Sequence, residues 1–380
     1  MTLFTLPEDQ IAVRDMARAF AADRIAPHAL DWDARKHFPV DALREAAALG
    51  MGGIYVSEEY GGSGLTRLDA ALIFEALSLG CPTVAAFLSI HNMATWMIDR
   101  FGSPAQRERF VPSLCRMDRI AAYCLTEPGS GSDAAALRTS ARRDGDTYVL
   151  NGAKQFISGA GAADVYVAMV RTGEPGPRGI STLVVPADAP GLSFGPDERK
   201  MGWNAQPTRA VVFEACRVPV ENRLGEEGIG FKIAMAGLDG GRLNIGACSL
   251  GGAQAALDKA LAYMGERKAF GQRLDAFQAL QFRLADMATE LEAARTLLYA
   301  AAASLDRGDP DATQRAAMAK RFATDTGFEV ANAALQLHGG YGYLAEYGIE
   351  KIVRDLRVHQ ILEGTNEIMR MIVARGLVRP

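Results

Sequence analysis

Glu363 stands in Ile361-Leu-Glu-Gly-Thr-Asn-Glu-Ile-Met-Arg370, between an apolar dipeptide and Gly364, just before a helical pattern. A carboxylate so placed can serve as a partly buried general base, or simply as a helix-start acid facing the positive end of the dipole. Thr126-Glu-Pro-Gly-Ser-Gly-Ser-Asp133 presents backbone N–H groups and hydroxyls at a density that suits a phosphate or a planar polar ring; its composition equally describes a surface turn. No Gly-Lys-Ser/Thr follows it, and the glycine spacing excludes the dinucleotide fingerprint. Gln155-Phe-Ile-Ser158 sets an aromatic ring beside a small hydroxyl, which can stack on and hydrogen-bond a flat ligand, or be a plain strand with Phe156 in the core. Arg267-Lys-Ala-Phe-Gly-Gln-Arg273 suits a diphosphate contact or a charged interhelical loop. Gln336-Leu-His-Gly-Gly-Tyr-Gly342 is a glycine-rich helix terminus, a common C-cap composition.

These segments need elements to hold them. Up to about residue 120 the chain reads as helical: Ile11, Met16 and Phe20 mark one face, and Asp41–Leu49, Arg67–Leu79 and Gln106–Leu114 repeat the character, with Ser57–Gly64 a loop. The texture changes near Tyr123. Asp146–Leu150, Asn151-Gly152 and Ala153–Ile157 read as a hairpin turning at Asn-Gly, followed by β-branched runs at Asp164–Val170, Ile180–Val185 and Ala210–Phe213. From Gly228 helices return. Leu280, Leu284, Met287, Leu291, Ala294 and Leu298 form a stripe within Leu274–Ala303. Gly308-Asp-Pro310 breaks it, and Ala312–Leu337 and Asn366–Leu377 follow, which suggests a four-helix bundle.

Composition narrows the classes. The 380 residues carry a net charge of −4, against a basic nucleic-acid footprint. With 49% hydrophobic and 23% charged residues, the chain is composed like a globular protein and can bury a sizeable core. Five scattered cysteines form no CxxC pair and fit no disulfide framework, and no His/Cys cluster points to a metal. No apolar run reaches the ~20 residues of a membrane span. The start, with Pro7-Glu8-Asp9, has no signal or transit pattern. The expected location is the bacterial cytoplasm, or the mitochondrial matrix for a mature eukaryotic form.

Tyr123-Cys-Leu-Thr-Glu-Pro-Gly-Ser-Gly-Ser-Asp133, Phe156-Ile-Ser158, Arg267-Lys-Ala-Phe-Gly271, Gln336-Leu-His-Gly-Gly340 and Glu363-Gly-Thr-Asn366 occur in one order. In that order the chain resembles the acyl-CoA dehydrogenase family over essentially its whole length. The resemblance implies an α+β multidomain fold: an N-terminal helical domain (1–120), a middle antiparallel β-barrel or sandwich (121–225) and a C-terminal four-helix bundle (226–380). It implies FAD bound between the domains and a homotetramer, a dimer of dimers sharing each flavin site. It implies oxidation of an acyl-CoA to its trans-2-enoyl-CoA, with an electron-transfer flavoprotein as acceptor.

Residue by residue, the resemblance makes Glu363 the base. Some relatives carry the base just before Arg242, where this chain has Gly241, so Glu363 stands unopposed. The implied FAD contacts are Tyr123, Leu125, Thr126, Gly131, Ser132, Phe156, Ile157, Ser158, Arg267, Phe270, Gln278, Gln336, Gly340, Thr365 and Glu367. Glu367 departs from the neutral amide of some relatives. The implied substrate contacts are Ser132, Asp239, Arg242 and Arg375. Desolvation is expected to raise the Glu363 pKa once substrate is bound, against the helix dipole.

Ser89–Met93, Gly202–Ala210, Leu238–Gly246 and Val358–Asn366 resemble the branch that converts isobutyryl-CoA to methacrylyl-CoA in valine degradation. Another short acyl-CoA (2-methylbutyryl or butyryl), an acyl-CoA oxidase and a non-catalytic acyl-CoA-binding scaffold are the rival readings.

Overall fold

A computed structural model describes residues 5–378. Among the described residues the N-terminal part carries the α-helices α1 (Glu8–Phe20), α2 (Ala29–Arg35), α3 (Val40–Ala48), α4 (Arg67–Ser78), α5 (Pro82–Phe101) and α6 (Pro104–Cys115). Local chemistry starts two of them. Thr66 accepts from the Asp69 N–H while the Asp69 carboxylate accepts from the Thr66 N–H, and Ser103 with Gln106 repeats the reciprocal cap at α6. Helix α5 shows no single apolar stripe because it is buried nearly all round.

The middle part is a sheet of β1 (Ala121–Cys124), β2 (Ser140–Asp144), β3 (Thr147–Ser158), β4 (Val165–Arg171), β5 (Ile180–Pro186), β6 (Leu192–Phe194), β7 (Thr208–Pro219) and β8 (Arg223–Leu224). Its order is β6-β7-β3-β2-β4-β5-β8, with β1 also on β4. Pairing is mainly antiparallel, but β1 runs parallel to β4. The hairpin expected at Asn151-Gly152 is corrected: β3 runs straight through that dipeptide, and the turn lies at Gly145-Asp146. The Asn151 carboxamide oxygen instead accepts from the Ala215 N–H across to β7, and the ladder slips between Leu150 and Gly152. Gly152 sits at φ 143°, with the Thr139 side chain where a Cβ would be. An Asn-Gly bulge and an Asn-Gly turn share the same residues because both need a backbone that only glycine readily adopts.

The C-terminal part comprises α7 (Gly230–Glu266), a short hairpin of β9 (Lys268–Ala269) and β10 (Gln272–Arg273), α8 (Gln278–Arg307), α9 (Ala312–Leu337), α10 (Ile349–Arg357) and α11 (Asn366–Val378). Helix α7 packs on α9, α8, α4 and α5, and α11 lies on α9. Enclosed on several sides, α7 lacks a polar face and relies on close approach: a Cβ at Gly251 would lie 2.1 Å from the Glu75 carbonyl oxygen of α4. Helix α8 begins at Gln278, four residues after the expected start at Leu274; Leu280 and Leu284 are only half-buried, while Met287, Leu291, Ala294 and Leu298 are core.

Buried polar links tie the parts together. The Ala121 N–H donates to His91 Nδ1 at 3.0 Å, and His91 Nε2 lies 3.0 Å from the Leu114 carbonyl, joining α5 and α6 to β1. Burial holds His91 down at about 4, so it stays the neutral acceptor this link requires. Asp355 of α10 accepts from the Trp203 N–H (2.7 Å), Thr83 Oγ1 of α5 (2.9 Å) and Lys351 Nζ (2.6 Å). This ion pair is enclosed and fully hydrogen-bonded, as a buried charge must be. It locks the approach to Glu363 against both other parts of the molecule.

Candidate active site

Glu363 occupies the turn between α10 and α11 at φ 56°, followed by Gly364 at φ 89°. A left-handed non-glycine residue costs about 1–3 kcal/mol and persists only where its surroundings over-determine it. They do so here. Lys320 Nζ, from α9, donates to the Gly364 carbonyl at 2.8 Å and to Asn366 Oδ1 at 2.9 Å. Asn366 Nδ2 in turn reaches Asp325 Oδ1 at 2.6 Å. Arg242 Nε donates to the Glu363 carbonyl at 3.4 Å, and Arg242 Nη1 to Asp239 Oδ1 at 2.7 Å. The Ile368 N–H donates to Thr365 Oγ1, which caps α11.

The Glu363 side chain lies over α7. A Cβ at Gly241 would sit 2.6 Å from Glu363 Oε2, so the glycine that leaves Glu363 unopposed in sequence also makes the space for its carboxyl. Oε2 is out of solvent contact and has no hydrogen-bond partner. Burial pushes this carboxyl up to about 7, while the Lys320 ammonium and Arg242 guanidinium pull it down. Burial therefore prevails without substrate, whereas the sequence argument expected it only with substrate bound. Lys320 is itself lowered to about 8 by burial, against the pull of Glu363.

A base must be deprotonated to accept a proton, which fixes a sign. Below about pH 7 the carboxyl keeps its proton; above it the carboxylate is free. The kcat/KM is expected to rise about tenfold per pH unit up to a bend near 7 and then level. A profile flat from pH 5.5 to 8 for chemistry-limited bleaching contradicts this assignment.

Tyr123 on β1 faces the same space, with its hydroxyl buried and unpartnered. Burial, reinforced by the nearby Glu363 carboxylate, raises its phenol far above the ordinary range, so it stays a neutral donor. The loop from Thr126 is shaped from within by Glu127. Its carboxylate accepts from Lys154 Nζ (2.8 Å), the Arg138 N–H (2.6 Å) and the Thr139 N–H (2.9 Å). Lys154 also donates to the Leu125 carbonyl at 3.1 Å. Gly131 and Ser132 are left exposed, and a Cβ at Gly131 would meet nothing within 4 Å. On β3, the Gln155 N–H donates to the Thr126 carbonyl, setting the two motifs side by side. Phe156 is not a core residue: it stands at φ 59° with 63% of its surface exposed, where the β3–β7 register slips. Ile157 is buried, and Ser158 Oγ accepts from Gln206 Nε2 at 3.3 Å.

These features fit a flat, polar, three-ring group such as the FAD that the resemblance implies. They supply an orphaned buried hydroxyl, a glycine edge open to close approach and an outward aromatic ring held in a strained backbone. Glu367 is exposed and leans 3.7 Å from Arg370.

Arg267, Phe270, Gln278, Gln336 and Gly340 gather elsewhere. Arg267 caps the far end of α7 from Arg242, and 25 helical residues at 1.5 Å each put them about 37 Å apart. There the Arg267 guanidinium lies over Tyr341, whose neighbour Tyr263 stacks on His338, and Phe270 is 97% exposed at φ 52°. The structure thus forms two groups of candidate residues, one beside the Gly241-Arg242 stretch of α7 and one at its C-terminal end. Asp239 is held by Arg242 and by Thr313 Oγ1 (2.7 Å), and Arg375 is exposed on α11. An open groove of about 670 Å³ lined by Arg14, Arg18 and Arg295 contains none of the motif residues. Lys320 and the Glu127–Lys154 pair escaped sequence reasoning, because a lysine in an alanine-rich helix or a strand reads as a solvent-facing residue.

The comparisons with known proteins agree along the chain. Residues 7–118, 122–216 and 228–378 match, in turn, the N-terminal, middle and C-terminal domains of acyl-CoA dehydrogenase. Mitochondrial isobutyryl-CoA dehydrogenase of Bos taurus is 57% identical over 374 residues, covering 98% of this chain and 90% of that protein. The structure of butyryl-CoA dehydrogenase from Megasphaera elsdenii superposes with a TM-score of 0.96 at 40% identity, covering 99% of this chain and 100% of that one. The FAD complex of PigA superposes with a TM-score of 0.95 at 31% identity, covering 98% of each chain.

Proposed function

We propose, from the premise that this chain belongs to the acyl-CoA dehydrogenase family, that it oxidises isobutyryl-CoA to methacrylyl-CoA, the α,β-dehydrogenation of valine degradation. The family and its chemistry, FAD-dependent oxidation of a CH–CH bond in an acyl-CoA, are the firm ground. The substrate is the finer step, and the observation that carries it is the 57% identity to isobutyryl-CoA dehydrogenase across nearly the whole chain.

Glu363 acts as the general base. Its carboxylate takes the α-proton, and its raised pKa matches it to proton transfer near neutral pH. The acidity of an α C–H bond depends on stabilising the enolate charge on the thioester oxygen, and the Glu363 backbone N–H donates there. Lys320 and Arg242 hold the turn, so that N–H and carboxylate keep one geometry. Tyr123, Thr126, Phe156 and Ser158 would hold the flavin ring, with Leu125, Gly131, Ser132, Ile157, Thr365 and Glu367 around it. FAD, when bound, would supply the two-electron acceptor for the β-hydrogen, with an electron-transfer flavoprotein as the onward acceptor.

Arg267, Phe270, Gln278, Gln336 and Gly340 serve the flavin of a neighbouring copy, within a homotetramer built as a dimer of dimers. The separation along α7 favours this arrangement, since both groups are implied FAD contacts but the second lies at the C-terminal end of the helix, about 37 Å from Arg242. Arg267→Ala is expected to weaken FAD retention by about tenfold or more, the loss of a charge-assisted contact worth about 1.5–3 kcal/mol. Equal FAD affinity in variant and parent, measured by flavin release on dilution, counts against this contact.

The substrate is tested by kcat/KM for isobutyryl-, 2-methylbutyryl-, butyryl- and octanoyl-CoA with electron-transfer flavoprotein as acceptor. One methylene in a pocket is worth about 10- to 200-fold, so preference rather than exclusivity is expected, with isobutyryl-CoA first. A tenfold advantage for butyryl- or octanoyl-CoA removes the isobutyryl assignment and leaves the family chemistry intact.

A further inference from the structure

Arg67 is a cation that the mechanism does not use. It is the first residue of α4, where Asp306 anchors the backbone: the carboxylate accepts from the Arg67 N–H at 2.7 Å and the Leu68 N–H at 3.1 Å. From this fixed point the side chain runs inward and is 91% buried, with 9% exposed. Its guanidinium carbon lies 3.6 Å from the Tyr55 ring centroid and 4.6 Å from that of Trp96. Tyr55 is held in turn by Asn244 Nδ2, which donates to its hydroxyl at 3.0 Å. Cation–π contact compensates part of the desolvation, but Nη1 has no hydrogen-bond partner.

The position of that orphan is informative. A Cβ at Gly240 would lie 2.3 Å from Arg67 Nη1, and a Cβ at Gly241, the next residue, would lie 2.6 Å from Glu363 Oε2. Consecutive Cα atoms are about 3.8 Å apart and their Cβ directions diverge around the helix, so Nη1 and Oε2 are within about 11 Å of each other. Met93 Sδ completes the wall, 3.0 Å from the Gly241 Cβ position. The base and the guanidinium thus stand over adjacent glycines of α7. A substrate α-carbon in reach of the carboxylate has only a few further carbons before its chain meets Arg67.

We infer that Arg67 is a specificity-determining residue that closes the acyl site and limits it to short chains. An apolar tail reaching Nη1 would offer this buried donor no partner, and it would have to displace a guanidinium already packed against two rings. A four-carbon acyl group stops short of both penalties. Length is limited by a polar cap rather than by a bulky apolar residue, which explains why a charged side chain is held in this place at the cost of its own desolvation. The inference rests on the proposed oxidation of a short acyl-CoA at Glu363.

The test is the ratio of kcat/KM for octanoyl-CoA to that for isobutyryl-CoA in FAD-loaded enzyme. Arg67→Met, apolar and unbranched, is expected to raise this ratio at least about tenfold, whereas Arg67→Lys, which keeps a cation on an unbranched stem, stays nearer the parent. Arg67→Gln gives the same reading if the Met variant does not load FAD. FAD-loaded Met or Gln variants that keep the parent's ratio overturn the inference. It is also overturned, with no variant needed, if the parent oxidises octanoyl-CoA as well as isobutyryl-CoA. A parent that prefers butyryl-CoA removes the isobutyryl assignment and leaves the cap standing.

Discussion

Glu363→Gln is expected to retain FAD and acyl-CoA binding and to lose flavin bleaching by acyl-CoA by at least about 10²-fold, the low end for a positioned acid–base group. The amide keeps the size of the carboxyl and leaves the backbone at φ 56°, still held by Lys320 through Gly364. What it removes is the only basic atom on that side chain. The carboxyl pays for its position, with Oε2 buried and unpartnered and its pKa pushed up to about 7. A neutral amide is relieved of part of that desolvation, so Tm should hold or rise while turnover falls. The measurement is anaerobic stopped-flow bleaching beside a thermal melt. Near-parent bleaching removes Glu363 from the role of base.

Gly241→Ala separates position from chemistry. Alanine improves helix propensity over glycine by about 0.8–1 kcal/mol, so α7 itself gains. The added methyl would stand 2.6 Å from Glu363 Oε2 and 3.0 Å from Met93 Sδ, both distal atoms of side chains that can swing aside. The fold survives, but the carboxylate is displaced by the better part of an ångström. Misplacement on that scale costs about 10²-fold, and bleaching is expected to fall by between about ten- and a hundredfold at unchanged Tm. Parent-like bleaching in a folded, FAD-loaded variant shows that the carboxylate is not held against Gly241 during the reaction.

Much of this was legible in the sequence. Apolar helical character locates α4, α6, α8 and α9, since it is set within a few residues of chain. The glycine–serine loop, the aromatic-hydroxyl arm and the Glu-Gly-Thr turn are legible only together: each alone also describes a plain turn, strand or helix start, and it is their order along the chain that carries the resemblance. Helices α5 and α7 were less legible: buried on several sides, they have no polar face to set a period. The Asn-Gly dipeptide at 151 failed as a guide to the turn, because its unusual backbone serves a bulge as well, and the choice falls to the β7 strand it meets.

The sequence by itself determined the family and the order of the domains and named the candidate base, since these are carried by residue types in a fixed order along the chain. Only the tertiary structure decided what those residues experience. That Glu363 is left-handed, with Oε2 out of solvent contact and its carboxyl pulled on by Lys320, and that Arg67 Nη1 ends without a hydrogen-bond partner while its guanidinium packs on Tyr55 and Trp96, are outcomes of long-range packing. Lys320 is 43 positions before Glu363, and Arg67 is 173 positions before Gly240. Desolvation and charge coupling depend on distance in space, which spacing along the chain does not encode.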